Sequence, residues 1–221
     1  MMSYRLVAFL SLFALGLSNT QKEGCKAQLD LCIVMDGSDS ISKEDFQILR
    51  NLLGDLIDQL NIGPGQGRMG IVVYSRLLAM DVPLTFDKEV LKRMAADMPH
   101  PREGTNTHLG IQRMKEMFRD SNRPNVPKVG IVVTDGISKE QTLTAREANL
   151  TKALGVNMFS VGVGPPEFMD EEELDAIASY GDQVLMVDSF GTLAKEIGNL
   201  VKLICPGKAF LVFRKIKKNS F

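Results

Sequence analysis

Two hydrophobic patterns alternate from Leu29 to Leu203. Residues 29–35 (Leu-Asp-Leu-Cys-Ile-Val-Met), 69–74 (Met-Gly-Ile-Val-Val-Tyr), 128–133 (Lys-Val-Gly-Ile-Val-Val) and 156–163 (Val-Asn-Met-Phe-Ser-Val-Gly-Val) are near-continuously apolar and rich in β-branched residues. That is the pattern of strands covered on both faces, since a strand with one wet face alternates apolar and polar. Residues 77–84 and 183–187 read as edge strands, and Pro83, with no N–H to give a ladder, fits an edge. Between these runs apolar positions recur every three or four residues. The clearest set is Phe46, Leu49, Leu53, Leu56, Ile57 and Leu60, with Ser42 and Asp45 as a start signal and Gly63-Pro64-Gly65 as a stop. Weaker helical patterns cover 87–97, 107–120, 142–154, 171–180 and 190–204. Strands alternating with helices predict an α/β fold: a doubly wound, mostly parallel six-stranded sheet flanked by helices on both faces. No internal repeat or linker interrupts it, so one domain is expected over 29–205.

The N-terminus follows neither pattern. Arg5 precedes an apolar stretch from Leu6 to Leu17, twelve residues where a membrane span needs about twenty. Gly16 and Ser18 then offer the small residues that a signal peptidase reads, so 1–18 is expected to be a secretory signal peptide cleaved after Ser18. Residues 19–28 form a lead that contains Cys25, and the mature chain is expected to be extracellular and not an integral membrane protein.

The chain of 221 residues carries 26 basic and 27 acidic side chains and is 44% hydrophobic, which excludes a disordered polymer, a collagenous rod and a multi-pass membrane protein. A net charge of -1 gives no global reason to expect nucleic-acid binding. Its distribution is uneven: residues 206–221 carry +5 and Arg5 carries +1, so residues 19–205 carry -7. That basic tail mixes Phe210-Leu211-Val212-Phe213 with Arg214, Lys215, Lys217 and Lys218, and reads either as a contact for anionic glycans or lipid headgroups or as a plain chain end.

Open parallel sheets bind ligands beyond the carboxyl ends of their strands, where the strand order reverses. After the first strand comes Asp36-Gly37-Ser38-Asp39-Ser40, after the 128–133 strand Thr134-Asp135-Gly136, and between them Gly104-Thr105-Asn106-Thr107 opens a helix. Asp36, Ser38, Ser40, Thr105 and Asp135 together offer two carboxylates and three hydroxyls. Such hard oxygen donors suit magnesium, manganese or calcium rather than zinc or copper. Three neutral hydroxyls leave a divalent cation under-neutralised, so a carboxylate from another molecule could complete its shell. Taken alone, Asp-x-Ser-x-Ser after a strand is also an ordinary helix-capping sequence; its position at the end of a buried strand lifts it above that.

These residues resemble the von Willebrand factor type A domain, over about 29–204. The resemblance rests on Leu31-Cys32-Ile33-Val34-Met35-Asp36-Gly37-Ser38-Asp39-Ser40-Ile41, Gly70-Ile71-Val72-Val73-Tyr74-Ser75, Gly104-Thr105-Asn106-Thr107-His108-Leu109-Gly110-Ile111, Val132-Val133-Thr134-Asp135-Gly136 and Ser160-Val161-Gly162-Val163-Gly164, in family order. It implies that the constellation is a metal-ion-dependent adhesion site. Ser38, Ser40 and Thr105 would then ligate the cation directly, Asp36 and Asp135 would mostly hold its waters, and a partner's Glu or Asp would complete the shell. It further implies a disulfide between Cys25 and Cys205, as in extracellular members of the matrilin and collagen type, with Cys32 left as a small buried hydrophobe. Partners implied are extracellular-matrix or cell-surface proteins presenting Asp or Glu, collagen-like ones among them. Two departures stand out: Asp39 adds a third carboxylate, and Glu103 stands where many members have glycine. The short segment from Gly164 to Glu173 leaves no room for the extra helix of collagen-binding integrin domains, so collagen recognition does not carry over from that subgroup.

The resulting expectation is a secreted, cation-dependent adhesion or matrix-assembly module and not an enzyme. The enzymatic rival, a magnesium-dependent hydrolase or phosphoryl transferase with Asp36 as nucleophile and Asp135 as metal ligand, has no Lys or His after the strands where such chemistry needs one, and Ser38 lacks a histidine partner. A matrix filler with a vestigial metal site is the third reading. Asn149-Leu150-Thr151 is the one glycosylation sequon. His108 is expected on the surface, and Glu171, Glu172 and Glu173 as a solvated helix start.

Overall fold

The structure, a computed structural model, describes Cys25 and residues 27–205. The signal peptide expected over 1–18 and the basic tail over 206–221 lie outside the described residues. Six strands form one sheet: β1 (Asp30–Asp36), β2 (Arg68–Tyr74), β3 (Leu78–Thr85), β4 (Lys128–Thr134), β5 (Val156–Val163) and β6 (Val184–Val187). Their order is β3-β2-β1-β4-β5-β6, and every pairing is parallel except β2 with β3. The edges are β3 and β6, the two strands expected there, and Pro83 sits on β3 as anticipated. The α-helices among the described residues are α1 (Lys43–Gln59), α2 (Lys88–Ala96), α3 (Thr107–Arg119), α4 (Gln141–Ala153), α5 (Glu171–Ile177) and α6 (Phe190–Ile204).

Alternation along the buried strands splits the core into two layers. Leu31, Ile33 and Met35 of β1 face α1, α2 and α6, while Cys32 and Val34 face α3 and α4. All seven residues of β1 are buried, as its unbroken apolar run requires. Ser42 caps α1, accepting from the Asp45 N–H at 3.0 Å. The apolar face of α1 extends only to Ile57: Leu60 lies beyond the last turn. Its segment instead pairs with Cys25, through Cys25 N–H to Gln59 O at 3.1 Å and Asn61 N–H to Cys25 O at 3.2 Å. Leu60 keeps its burial by this strand-like contact, which periodicity alone does not distinguish from a further helical turn.

Two features fix the pole away from the carboxyl ends of the strands. Cys25 and Cys205 are joined as a disulfide with Cα atoms 5.5 Å apart, tying the start of the domain to the end of α6. Asp30, fully buried, accepts from Arg68 at 3.1 and 2.6 Å, from Arg123 at 2.7 Å and from Ser121 at 3.0 Å. Both guanidinium groups also lie over the Phe86 ring. The opposite pole is thereby left to the loops that follow β1, β4, β5 and β6.

Candidate metal centre

β1 is the switch point of the sheet. The chain leaves it toward β2 on one side, and the later strands build outward from β4 on the other. Asp36 therefore ends β1 one step beyond the Met35–Val133 pair, with Thr134 ending β4 and Asp135 directly after it, and Tyr74 beside it on β2. The crevice that the doubly wound order predicts opens here.

Within it Asp36 is wholly buried, and its carboxylate is fully engaged. One oxygen accepts from the Ser38 N–H at 2.9 Å, and the other from the Thr134 hydroxyl at 2.7 Å and the Tyr74 hydroxyl at 3.1 Å. Tyr74 in turn accepts from the Thr107 hydroxyl at 3.1 Å. Burial pushes the Asp36 pKa up to about 6, with the nearby Asp135 charge adding to it and the hydrogen bonds from Thr134 and Ser38 opposing it. Above this carboxylate runs a line of oxygens: Ser38 Oγ lies 2.8 Å from Ser40 Oγ, and Ser40 Oγ donates to Asp135 Oδ1 at 2.7 Å. Asp135 is half-buried, and its pKa is raised chiefly by that burial.

Thr105 arrives by a separate scaffold. Ser75, directly after β2, accepts from the Glu103 N–H at 3.0 Å and donates to Gly104 O at 2.9 Å, while its own carbonyl accepts from the Asn106 N–H at 2.9 Å. The Lys139 N–H to Thr105 O bond, at 2.9 Å, ties this loop to the one after β4. The Thr105 hydroxyl makes no hydrogen bond among the described residues and lines the same cleft as Ser40 and Asp135. Gly37 is dictated by close approach, since a Cβ there would stand 2.8 Å from Pro101 Cδ and 3.2 Å from Tyr74 O. Residues 101–103 brace that turn through Arg102 N–H to Gly37 O and Asp39 N–H to Glu103 O, both 2.9 Å.

The donor set fits a small divalent cation. Two ligands at right angles on a cation with bonds of about 2.1 Å sit about 3 Å apart, close to the Ser38–Ser40 and Ser40–Asp135 separations. Among the described residues there is no group of three or more His, Cys, Asp or Glu that could hold a metal. What is present is a hydroxyl-rich arrangement suited to a hard cation.

The five residues expected from the sequence thus converge, with Asp36 beneath the other four. Two neighbours were not anticipated, Tyr74 and Thr134, because their part depends on cross-strand register. His108 is half-buried rather than on the surface, and its Nδ1 is buried without a partner among the described residues. Glu171 and Glu172 are solvated, but Glu173 is buried and accepts from the Ser138 N–H at 3.0 Å, holding the start of α5 to the loop after β4. Although no Lys or His directly follows β1 or β4 in the motifs, Lys139 lies against Gly104, and the His100 ring lies 3.3 Å from Ser38 O and stacks on Phe46. Only a three-residue 3-10 turn, Pro166–Phe168, stands between β5 and α5, apart from short connecting residues. Asn149 is exposed on α4, and the Thr151 hydroxyl of its sequon is turned inward onto Glu147 O at 2.7 Å.

Comparison with known proteins agrees with this architecture. Residues 30–199 match the von Willebrand factor type A domain family. Matrilin-1 of Gallus gallus is 35% identical over 189 residues, covering 82% of this chain and 37% of that protein. Matrilin-4 of Homo sapiens is 32% identical over 199 residues, covering 85% of this chain and 30% of that protein. The chain therefore spans well under half the length of these relatives. Among solved structures, proximal thread matrix protein 1 from the mussel byssus superposes with a TM-score of 0.75 at 27% identity, over 82% of this chain and 48% of that one. A further structure of that mussel protein, described as having a zinc-occupied metal-ion-dependent adhesion site motif, gives 0.76 at 28% identity over 83% and 49%.

Proposed function

The chain belongs to the von Willebrand factor type A family and is matrilin-like, and from that premise we propose that it is a secreted extracellular-matrix module that holds a partner's Asp or Glu through a divalent cation. The observation that carries this reading is the line of Ser38, Ser40 and Asp135 oxygens at 2.8 and 2.7 Å, opening with Thr105 onto a cleft at the switch point of the sheet. A bound cation would supply an electrophilic centre that draws in a carboxylate. Ser38, Ser40 and Thr105 are the ligands, and Asp36 and Asp135 fix the serines and neutralise charge. Magnesium, manganese and calcium all accept this set, and matrix or cell-surface proteins with accessible acidic side chains are the partners. We place the boundaries at 1–18 for the signal peptide, 19–28 for the lead, 29–205 for the domain and 206–221 for the basic tail, with Asn149 as a glycan acceptor.

The enzymatic alternative is disfavoured by the burial of Asp36. A nucleophile must reach a substrate, and both oxygens of this carboxylate are turned into the protein and hydrogen-bonded. A vestigial site is disfavoured by the cost of the same group: a carboxylate pushed up to about 6 by burial weighs on a fold that gains nothing from a cation. The experiment is capture of purified matrix components by the immobilised protein in magnesium, with and without chelator, beside Ser40→Ala. Capture abolished by chelator and by the substitution supports the reading; capture indifferent to both overturns it.

A further inference from the structure

Ser40, Thr105 and Asp135 line a cleft of about 680 Å³. Ile137, the turn after β5 and the start of α6 line it too. Its lining has two properties that the core does not explain. First, Phe168 and Ile137 are 63% and 49% exposed although both are large and apolar. Phe168 sits on the 3-10 turn Pro166–Phe168, none of whose residues is buried, so most of its ring is left to solvent. Second, Asp39, Asp45, Glu167 and Asp188 line the same cleft, and none pairs with a Lys or Arg among the described residues. The Asp45 charge is close enough to act on Asp135.

These properties limit what can lie in the cleft. Asp36 and Asp135 are the carboxylates joined to the serines of the centre, so the four further ones are not needed to hold the cation. A uniformly acidic segment approaching the cation would be repelled by them, and a segment with one carboxylate and a nearby basic side chain would be attracted. The two exposed apolar side chains line the same cleft as these carboxylates.

We infer that the cleft selects its partner beyond the metal contact: it takes an extended segment in which one Asp or Glu is accompanied by an apolar side chain, packed on Ile137 and Phe168, and by a Lys or Arg facing Glu167 and Asp188. This rests on the metal-dependent capture proposed above and names the class of segment captured. Glu167 and Asp188 are specificity-determining residues, not metal ligands, so their replacement weakens cation binding only through space and leaves it saturable. Each exposed ion pair changes affinity by about fivefold at most, so the selection is visible as a sequence preference rather than as an all-or-none effect.

The test is a displayed library of nine-residue segments with a fixed central Glu and all other positions random, selected on the wild-type protein in magnesium and again in chelator. Glu167→Lys/Asp188→Lys and Phe168→Ser are carried in parallel, and magnesium affinity is measured for each by calorimetry. The expected result is chelator-sensitive enrichment of Lys or Arg together with an apolar residue. The double charge reversal should replace the basic preference by an acidic one with magnesium binding still saturable, and Phe168→Ser should erase the apolar one at unchanged magnesium affinity. Chelator-sensitive enrichment of Glu-containing segments with no flanking preference, or with one that the double variant keeps, overturns this inference and leaves the metal-dependent reading standing. Magnesium binding with no chelator-sensitive enrichment at all overturns both.

Discussion

Gly110 offers a test of how α3 seats Thr107 and Tyr74 beneath the centre. Inside a helix, glycine is normally the weakest choice, and replacing it by alanine gains about 1 kcal/mol. Gly54 in α1 meets that expectation, since a Cβ there would find nothing within 4 Å. Gly110 does not: its Cβ would stand 2.5 Å from Val34 Cγ1 and 2.9 Å from Tyr74 Cδ1. Comfortable carbon contacts need about 3.5–4.0 Å, so α3 must lift or Tyr74 must turn. Overpacking of this kind costs about 1–3 kcal/mol, and the helix-propensity gain offsets roughly 1 of it. Gly54→Ala should therefore stabilise by up to about 1 kcal/mol, while Gly110→Ala should be neutral to about 2 kcal/mol destabilising. Because Tyr74 holds Asp36 at 3.1 Å and Thr107 at 3.1 Å, Gly110→Ala should also weaken magnesium binding, and Gly54→Ala should not. Urea unfolding of the two variants and the wild type, followed by magnesium titration of each, checks both parts. The reasoning is refuted if Gly110→Ala is as stabilising as Gly54→Ala, since α3 would then not be seated by contact at that position.

Other expectations follow from single contacts. Cys25→Ser/Cys205→Ser removes a cross-link closing a loop of 180 residues and should lower stability by about 2–5 kcal/mol, read from denaturant midpoints. Asp30→Ala strands Arg68 and Arg123 at the opposite pole and should cost about 3 kcal/mol in the same assay while leaving magnesium affinity intact. Folding raises the Asp36 pKa, so in chelator its contribution to stability is complete below about pH 4 and is lost as pH rises through about 6. The loss amounts to about 3 kcal/mol; Asp36→Asn should lack this step and, at neutral pH without metal, be no less stable than wild type. Secreted protein should lose a glycan-sized mass on Asn149→Gln, since the side chain is exposed on α4.

Almost the whole fold is written in the local pattern, because strands covered on both faces need unbroken apolar runs and helices covered on one face need a stripe. β1, β2, β4 and β5 are legible for the first reason and α1 for the second. Leu60 and Glu173 are not, since the partner of each lies far away in sequence: Cys25 for one, the Ser138 N–H for the other. The centre divides the same way. Asp36, Ser38, Ser40, Thr105 and Asp135 announce themselves by following strands or opening a helix, and their oxygen chemistry can be read from residue type. Tyr74 and Thr134, which hold Asp36, are ordinary strand residues whose part depends on register. Phe168 and Ile137 would pass as core residues in any linear reading, and only the folded surface shows them exposed beside the metal ligands.

The central claim is that five residues from three separate segments make one working cation site. Calorimetric titration of the folded protein with magnesium, wild type beside Asp135→Ala, tests it most directly. Saturable one-site binding in the wild type, absent from a variant whose circular dichroism is unchanged, is the predicted result. No saturable binding in the wild type, or equal binding in the two, would contradict it.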